Sequence, residues 1–493
     1  MTSNGPAAEL AKAIGGEPEL GCMHNILTEA ATKNPDSIAL VCPHYPSDLY
    51  TFSTQSDETK SQPYLRWTYR HLQKVSHAVA AGLYQKGIRP GMTIAIFPVV
   101  GAEFQIIARA AWELRCTLAS IDPASISNPN ELQHMLKCSN PSVVLAPTTE
   151  LAEKLDKNAE NTLYGHVLKF VTSHKQTSCP NGWSSFQELF SFGQEHQDLG
   201  FSQIEHELDD EILVIFTSGT TSLPKGCVHT NTSMSASCLA KKNLGQAADC
   251  WPVVSAHGPL FHAIGIMIAL HVPPCTIVHP SESFTPGALL EAIQNEKITY
   301  MCLVPAMLNL LAEHQNLPTT DTSSLEMIHM GGGNVLSRHN QDCVNVLKSK
   351  KAHTIYGMSE CWGPTCYHVD QIPDLKRSDV GCGVVMPGAM LKVCAPDSTT
   401  AIKRDEAGEL HMGGPQILKK YIGAKSQPFY EDEDGRWLPT GDQATMNEDG
   451  EIFIVGRYKE LIIRGGHNIA PTAIEKVFSA YGGIQVSHSQ KLL

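Results

Sequence analysis

Between Phe216 and Gly226 the chain reads FTSGTTSLPKG, directly after the apolar run Ile212 to Ile215. Hydroxyl side chains, glycines and a single lysine, packed this densely after a buried strand, suit one chemistry above others. Hydroxyls and backbone N–H groups can wrap phosphate oxygens while Lys225 supplies a point charge. The stretch is not a P-loop. Counting from Gly219, Pro224 stands where the second glycine should precede Lys225, and Gly226 follows where Ser or Thr should hold magnesium. No G-x-G-x-x-G stands in a strand-to-helix turn to suggest a dinucleotide fold. A plain surface turn rich in Ser, Thr and Gly is the competing reading of the stretch taken alone.

The elements that must position such a loop are legible around it. Leu72, Val75, Val79 and Leu83 recur at helical spacing between Thr68, a cap, and Gly87, a stop. Short apolar strands follow at 91–97 and 142–146, with a helix-like run at 103–112 between them. Later strands at 299–304, 326–330 and 353–356 each run into Gly or Pro, and so present their carboxyl ends to loops. Ligands of α/β sheets sit there. This alternation predicts an α/β fold with a largely parallel sheet. From about Gly388 short strands and turns take over, predicting a small β-rich subdomain over 388–455. The polar segment 148–209 reads as peripheral loops.

Composition narrows the class. The chain has 493 residues, 42% hydrophobic and 18% charged, with a net charge of −13. More than one domain is expected at this length. The acidic balance offers no footprint for nucleic acid or an anionic membrane, so any anionic ligand must be met by local charge. No apolar run reaches the ~18 residues needed to cross a bilayer. The acidic N-terminus lacks the basic start and apolar core of a secretory signal. Fifteen cysteines without C-x-x-C spacing point to a reduced, cytoplasmic chain rather than a zinc or disulfide scaffold.

Further stretches appear in order: Pro259-Leu-Phe-His262, Gly331-Gly332-Gly333, Tyr356-Gly357-Met358-Ser359-Glu360, Gly408-Glu-Leu, Pro439-Thr-Gly-Asp442, and GRYKELIIRGG from Gly456 to Gly466. Together with residues 216–226 this series resembles the signatures of the adenylate-forming, or AMP-binding, superfamily, of the acyl- and aryl-CoA synthetase type. The resemblance implies a large domain of stacked α/β sheet subdomains over residues 1–455, carrying the β-rich subdomain, then a hinge and lid remnant over 456–493. It implies an ATP-dependent ligase that joins a carboxylic acid to ATP, releases pyrophosphate, and passes the acyl group to CoA or a carrier-protein thiol. By resemblance, Thr217, Ser218, Gly219, Thr220, Thr221 and Lys225 hold the β- and γ-phosphates. Glu360 ligates Mg2+ and Ser359 reaches the α-phosphate. Tyr356, with Gly357 and Met358 beside it, stacks adenine against Gly331, Gly332 and Gly333. Asp442 accepts from the ribose hydroxyls and Arg457 steadies the ribose. His262 lies beside the incoming carboxylate, and Lys459 marks the hinge. Lys225, Glu360, His262 and Thr221 are the residues implied in the chemical step.

Two features bear on function beside Ser222, which stands where the family's signature loop carries glycine. Relatives that activate amino acids carry an aspartate just after the aromatic matching Phe261, whereas the segment 260–270 has no carboxylate. A buried ammonium without a partner costs several kcal/mol, so an acid lacking an α-amine is expected: fatty, polyketide-like or aryl. Ile264, Ile266, Met267, Met301, Val304 and Met307 are candidates for its apolar lining, and equally for ordinary core. The second departure is length: only 34 residues follow Lys459, where the family carries a lid of ~100 residues with a catalytic lysine, the size of a small domain. Three readings stay open. They are a ligase with impaired catalysis, an adenylation domain completed by another chain, and a non-catalytic protein that binds ATP and acid.

Overall fold

The computed structural model describes residues 10–52, 62–159, 167–175, 178–196, 201–219, 222–240, 252–271, 274–367, 380–460, 462–464, 467–469 and 474. Its architecture is α/β, built on three main sheets. In the first, eight strands run in the order Lys420–Ile422, Ser222–Thr230, Glu211–Gly219, Thr117–Ser120, Thr93–Ile96, Val143–Ala146, Leu168–Val171 and Ser184–Ser185. From Glu211–Gly219 onward neighbouring strands are parallel, and the first two are added antiparallel. Val143 to Ala146 and Thr117 to Ser120 are wholly buried, as strands covered on both faces must be. Such strands read as continuous apolar runs.

The second sheet has seven strands, ordered Lys351–Thr354, Met327–Met330, Tyr300–Leu303, Val253–Ser255, Thr276–Val278, Ile38–Cys42 and Leu65–Thr68. All neighbours are parallel except the last pair. The third is antiparallel: Lys12–Ile14, Met390–Cys394, Gly408–Gly413, Gly435–Met446 and Tyr430–Asp432 in order, with Ile452–Arg457 also on Gly435–Met446. Its N-terminal strand has no counterpart in the sequence reading, because three residues carry no periodicity. The helix Tyr69–Gln85 begins where the hydroxyl of Thr68 accepts from the backbone N–H of His71, and Leu72, Val75, Val79 and Leu83 are buried on its inner side.

The polar segment 148–209 is more ordered than its composition suggested. Two of its strands extend the parallel sheet, and the helix Phe186–Gln194 opens with a capping box between Ser185 and Glu188. Phe186, Leu189 and Phe190 are buried in the main core. Three apolar anchors were enough to seat a helix whose other face is polar.

The edge strand Lys420–Ile422 comes from the excursion between Gly408–Gly413 and Tyr430–Asp432, so the chain leaves the antiparallel sheet, pairs with Ser222–Thr230, and returns. Gly226 permits this pairing: a Cβ there would lie 2.6 Å from Ile422 Cγ1 and 3.0 Å from Val214 Cγ1. The glycine that broke the P-loop pattern is therefore required by close strand packing. Replacing Gly226 with Ala is expected to lower unfolding free energy by about 1–3 kcal/mol, the usual cost of overpacking. Adding Ile422→Ala should recover part of that loss in denaturant titrations.

Behind the sheets, Glu103 is buried in the helix Ala102–Glu113 and accepts from Tyr45 at 2.5 Å and Tyr50 at 2.9 Å. Burial pushes its carboxyl up to about 7. The folded state then holds a proton that the unfolded chain has released, so this group's contribution to stability falls as pH rises from about 4.5 to about 7. Glu103→Gln should flatten that part of the stability-versus-pH curve, as read by thermal unfolding across pH 4 to 8.

Candidate functional site

The stretch that suggested phosphate binding lies at a hairpin. Glu211–Gly219 and Ser222–Thr230 pair antiparallel, with Thr217 opposite Lys225 and Gly219 opposite Ser222. The Thr217 hydroxyl donates to the Lys225 carbonyl at 3.4 Å, and the Lys225 side chain is exposed. Thr220 and Thr221 lie outside the described residues, as do the side chains of Ser218 and Lys459, and the tail beyond 474.

The second contribution comes from the carboxyl ends of the seven-stranded sheet. Register places Leu303 beside Met330 and Met330 beside Thr354. Val304, Gly331 and Ile355 therefore emerge side by side, joined by Gly331 N–H to Leu303 O at 3.1 Å and Ile355 N–H to Met330 O at 2.9 Å. Gly332 has φ +69, the left-handed region that glycine tolerates, and a Cβ on Gly331 would press on Ile355 at 3.0 Å. Tyr356 to Glu360 follow at once.

Here the third sheet arrives. Asp442 is buried within the long strand Gly435–Met446, directly opposite Arg457 on Ile452–Arg457. Its carboxylate accepts from the Tyr356 hydroxyl at 2.5 Å through one oxygen and from Arg457 Nε at 2.8 Å through the other. Burial, reinforced by the Asp442 charge, pushes the Tyr356 phenol well above its ordinary range, so it remains a donor.

Glu360 is buried beside this group. Its Oε1 accepts from the Tyr421 hydroxyl at 2.7 Å, and its backbone carbonyl accepts from Leu418 N–H at 2.8 Å. Burial raises the Glu360 carboxyl; the Tyr421 hydrogen bond and Arg457 oppose this, while Asp442 adds to it. The Ser359 carbonyl accepts from His229 Nε2 at 2.8 Å and from Trp362 Nε1 at 3.1 Å. His229 stands on the hairpin strand, and burial lowers it to about 4, so it is a neutral donor at ordinary pH.

Thr217, Lys225, Tyr356, Ser359, Glu360, Asp442 and Arg457 are thus linked by contacts among three sheets, although they span residues 217 to 457 of the chain. Tyr421 and His229, absent from the sequence reading, supply two of the links. His262 occupies the N-cap position of the seven-residue helix Ala263–Ala269 without a side-chain capping bond, and partial desolvation lowers it, with Asp122 opposing. Of the apolar candidates, Ile266, Met267 and Met301 are core residues, exposed by 0%, 4% and 0%. Ile264, Val304 and Met307 are half-buried.

With this geometry in hand, comparison with known proteins defines the class. The family model described as AMP-binding enzyme matches residues 27–422, and the chain belongs to that family. An acyl–CoA ligase of Pestalotiopsis microspora is 26% identical over 492 residues, covering 94% of this chain and 83% of the relative. A 4-coumarate–CoA ligase of Solanum tuberosum is 29% identical over 452 residues, covering 88% and 79%. Among solved structures, ATP-bound MatB from Rhodopseudomonas palustris superposes with a TM-score of 0.76 at 20% identity, over 95% of this chain and 84% of that one. It shares the fold. No helix among the described residues is long and apolar enough to cross a membrane.

The Tyr356–Asp442 bond joins two sheets, which gives it a measurable weight. A hydrogen bond to a charged group contributes about 1.5–3 kcal/mol, so Tyr356→Phe should lower unfolding free energy by that order. Arg457→Ala, at a half-exposed side chain, should cost less in the same denaturant titration.

Proposed function

We propose that the chain activates a carboxylic acid with ATP to an acyl-adenylate and then transfers the acyl group to the thiol of CoA. Membership in the AMP-binding enzymes and likeness to ligases that form CoA thioesters support ATP-dependent acid activation and thioester formation in general. One observation favours these particular residues: Lys225, Glu360 and Asp442 belong to different sheets or loops, yet Tyr421 meets both Lys225 and Glu360, Tyr356 and Arg457 hold Asp442, and Glu360 lies within reach of the charges of both Arg457 and Asp442.

The reaction joins two anions, so donors and positive charge must meet the charge that develops at phosphorus. A carboxylate oxygen of the acid attacks the α-phosphorus, and the bond to the β-phosphate oxygen breaks, that oxygen leaving with the electron pair as pyrophosphate. In this reading Thr217, Ser218, Gly219, Thr220, Thr221 and Lys225 meet the β- and γ-phosphates, and Ser359 the α-phosphate. Tyr356 lies against adenine, with Gly331 to Gly333 opposite. Asp442 and Arg457 hold the ribose; Asp442 already engages both oxygens internally, so its position is set before nucleotide arrives. Glu360, a single buried carboxylate, fits a magnesium ion that is completed by substrate phosphates. That ion would neutralise phosphate charge, and CoA would supply the accepting thiol. His262 faces the acid.

The acid is one without an α-amine, because the segment 260–270 offers no carboxylate to an ammonium. Half-buried Ile264, Val304 and Met307 favour an apolar chain or ring, a class that spans fatty, polyketide-like and aryl acids.

Calorimetric titration with MgATP tests the assignment. Lys225→Ala and Glu360→Gln should each weaken affinity by about 10- to 100-fold, the loss of one charge-assisted contact. His262→Ala should leave MgATP affinity within about twofold but raise the acid KM in acid-dependent pyrophosphate exchange. Unchanged MgATP affinity in both of the first two variants refutes the assignment.

A further inference from the structure

Tyr421 occupies a position that neither phosphate chemistry nor core packing explains by itself. It lies opposite Cys227 on the edge strand Lys420–Ile422, two residues along from Lys225. Its hydroxyl donates to Glu360 Oε1 at 2.7 Å, and its ring centroid lies 5.7 Å from Lys225 Nζ. One side chain therefore touches both the ammonium and the carboxylate that the preceding reading places on the nucleotide's phosphates and metal.

The ring is itself held. Phe429 stacks behind it at 6.1 Å with planes 23° apart, and the Arg436 guanidinium lies 3.6 Å from the Phe429 centroid. Arg436 is fixed in turn by donating to the carbonyls of Leu418 and Lys419 at 3.1 and 2.6 Å. The Tyr421 backbone is bracketed by Gln427, which accepts from its N–H and donates to its carbonyl, both at 2.9 Å. A short edge strand would fray without such support; this one is anchored on both sides of a single residue.

We propose that Tyr421 is a positioning residue: it fixes the Glu360 carboxylate for a divalent cation and steers the Lys225 ammonium through its ring, coupling hairpin to metal site. The inference rests on the function proposed above. The phenol takes one carboxylate oxygen and leaves the other to a cation, which is how groups behind a ligand orient it. The ring face attracts an ammonium within about 6 Å and narrows the range of a long, flexible side chain. The hydroxyl thus acts through Glu360, and the ring acts through Lys225.

The two contributions separate in calorimetry of the full chain with ATP, in excess Mg2+ and in EDTA. Tyr421→Phe should weaken ATP binding about tenfold in Mg2+, the scale of lost support to a ligand, and leave the EDTA affinity unchanged. Tyr421→Leu should lower both. In a Glu360→Gln background, Tyr421→Phe should change MgATP affinity by less than about twofold, since its route is already cut. Phe429→Leu, which spares the hydroxyl, gives a second entry to the same test and should produce a smaller loss. Unaltered MgATP affinity in Tyr421→Phe, equal losses with and without Mg2+, or losses that add to those of Glu360→Gln would overturn the inference while leaving the proposed function standing. A wild-type chain that binds no MgATP would overturn both.

Discussion

The site depends on one constraint: a three-residue strand, Lys420–Ile422, must leave the antiparallel sheet and close the edge of the parallel one. Through that pairing the hairpin with Lys225 meets the turn with Glu360, and the strand pair holding Asp442 and Arg457 is brought over the same place. Gly226 is the local condition for it, since any side chain there would push Ile422 away. The energetic scale is modest, a few backbone hydrogen bonds and one tyrosine, but the geometry of everything nearby follows from it. Such edges are otherwise open to pairing with foreign chains, and here the edge is used to assemble a site.

Electrostatics gives the arrangement its sense. A chain with net charge −13 repels phosphates at long range, so attraction must come from few, well-aimed groups. Arg457 is balanced by Asp442, whereas the Lys225 ammonium stands over the ring of Tyr421. Glu360 is buried with the Tyr421 hydroxyl as a side-chain donor, and burial disfavours its charged form. In the function proposed above, an arriving cation with its phosphates would offset that cost.

Much of this was legible in the chain. Parallel strands such as Val143–Ala146 read as short apolar runs because both faces are covered. The Pro or Gly after Val304, Met330 and Tyr356 announced the strand ends, and the strands themselves stop at Leu303, Met330 and Thr354. The ordered signatures also named Tyr356, Glu360, Asp442 and Arg457 as a set, without showing that Asp442 and Arg457 face each other across two strands. Tyr421 and His229 escaped because their meaning lies in pairing: a tyrosine in a three-residue strand has no periodic signal, and its partner is 61 residues away. The strand Lys12–Ile14 was hidden for the same reason. The apolar residues near 264 and 301 were ambiguous because lining and core use the same side chains, and packing divided them.

In the function proposed above, three sheets converge on one nucleotide. Hydrogen–deuterium exchange with and without MgATP tests it most directly. Amides in 211–230, 353–363 and 435–457 are expected to gain protection together, over one range of ATP concentration. Protection confined to one of these segments, or appearing in them at separate concentrations, would contradict it.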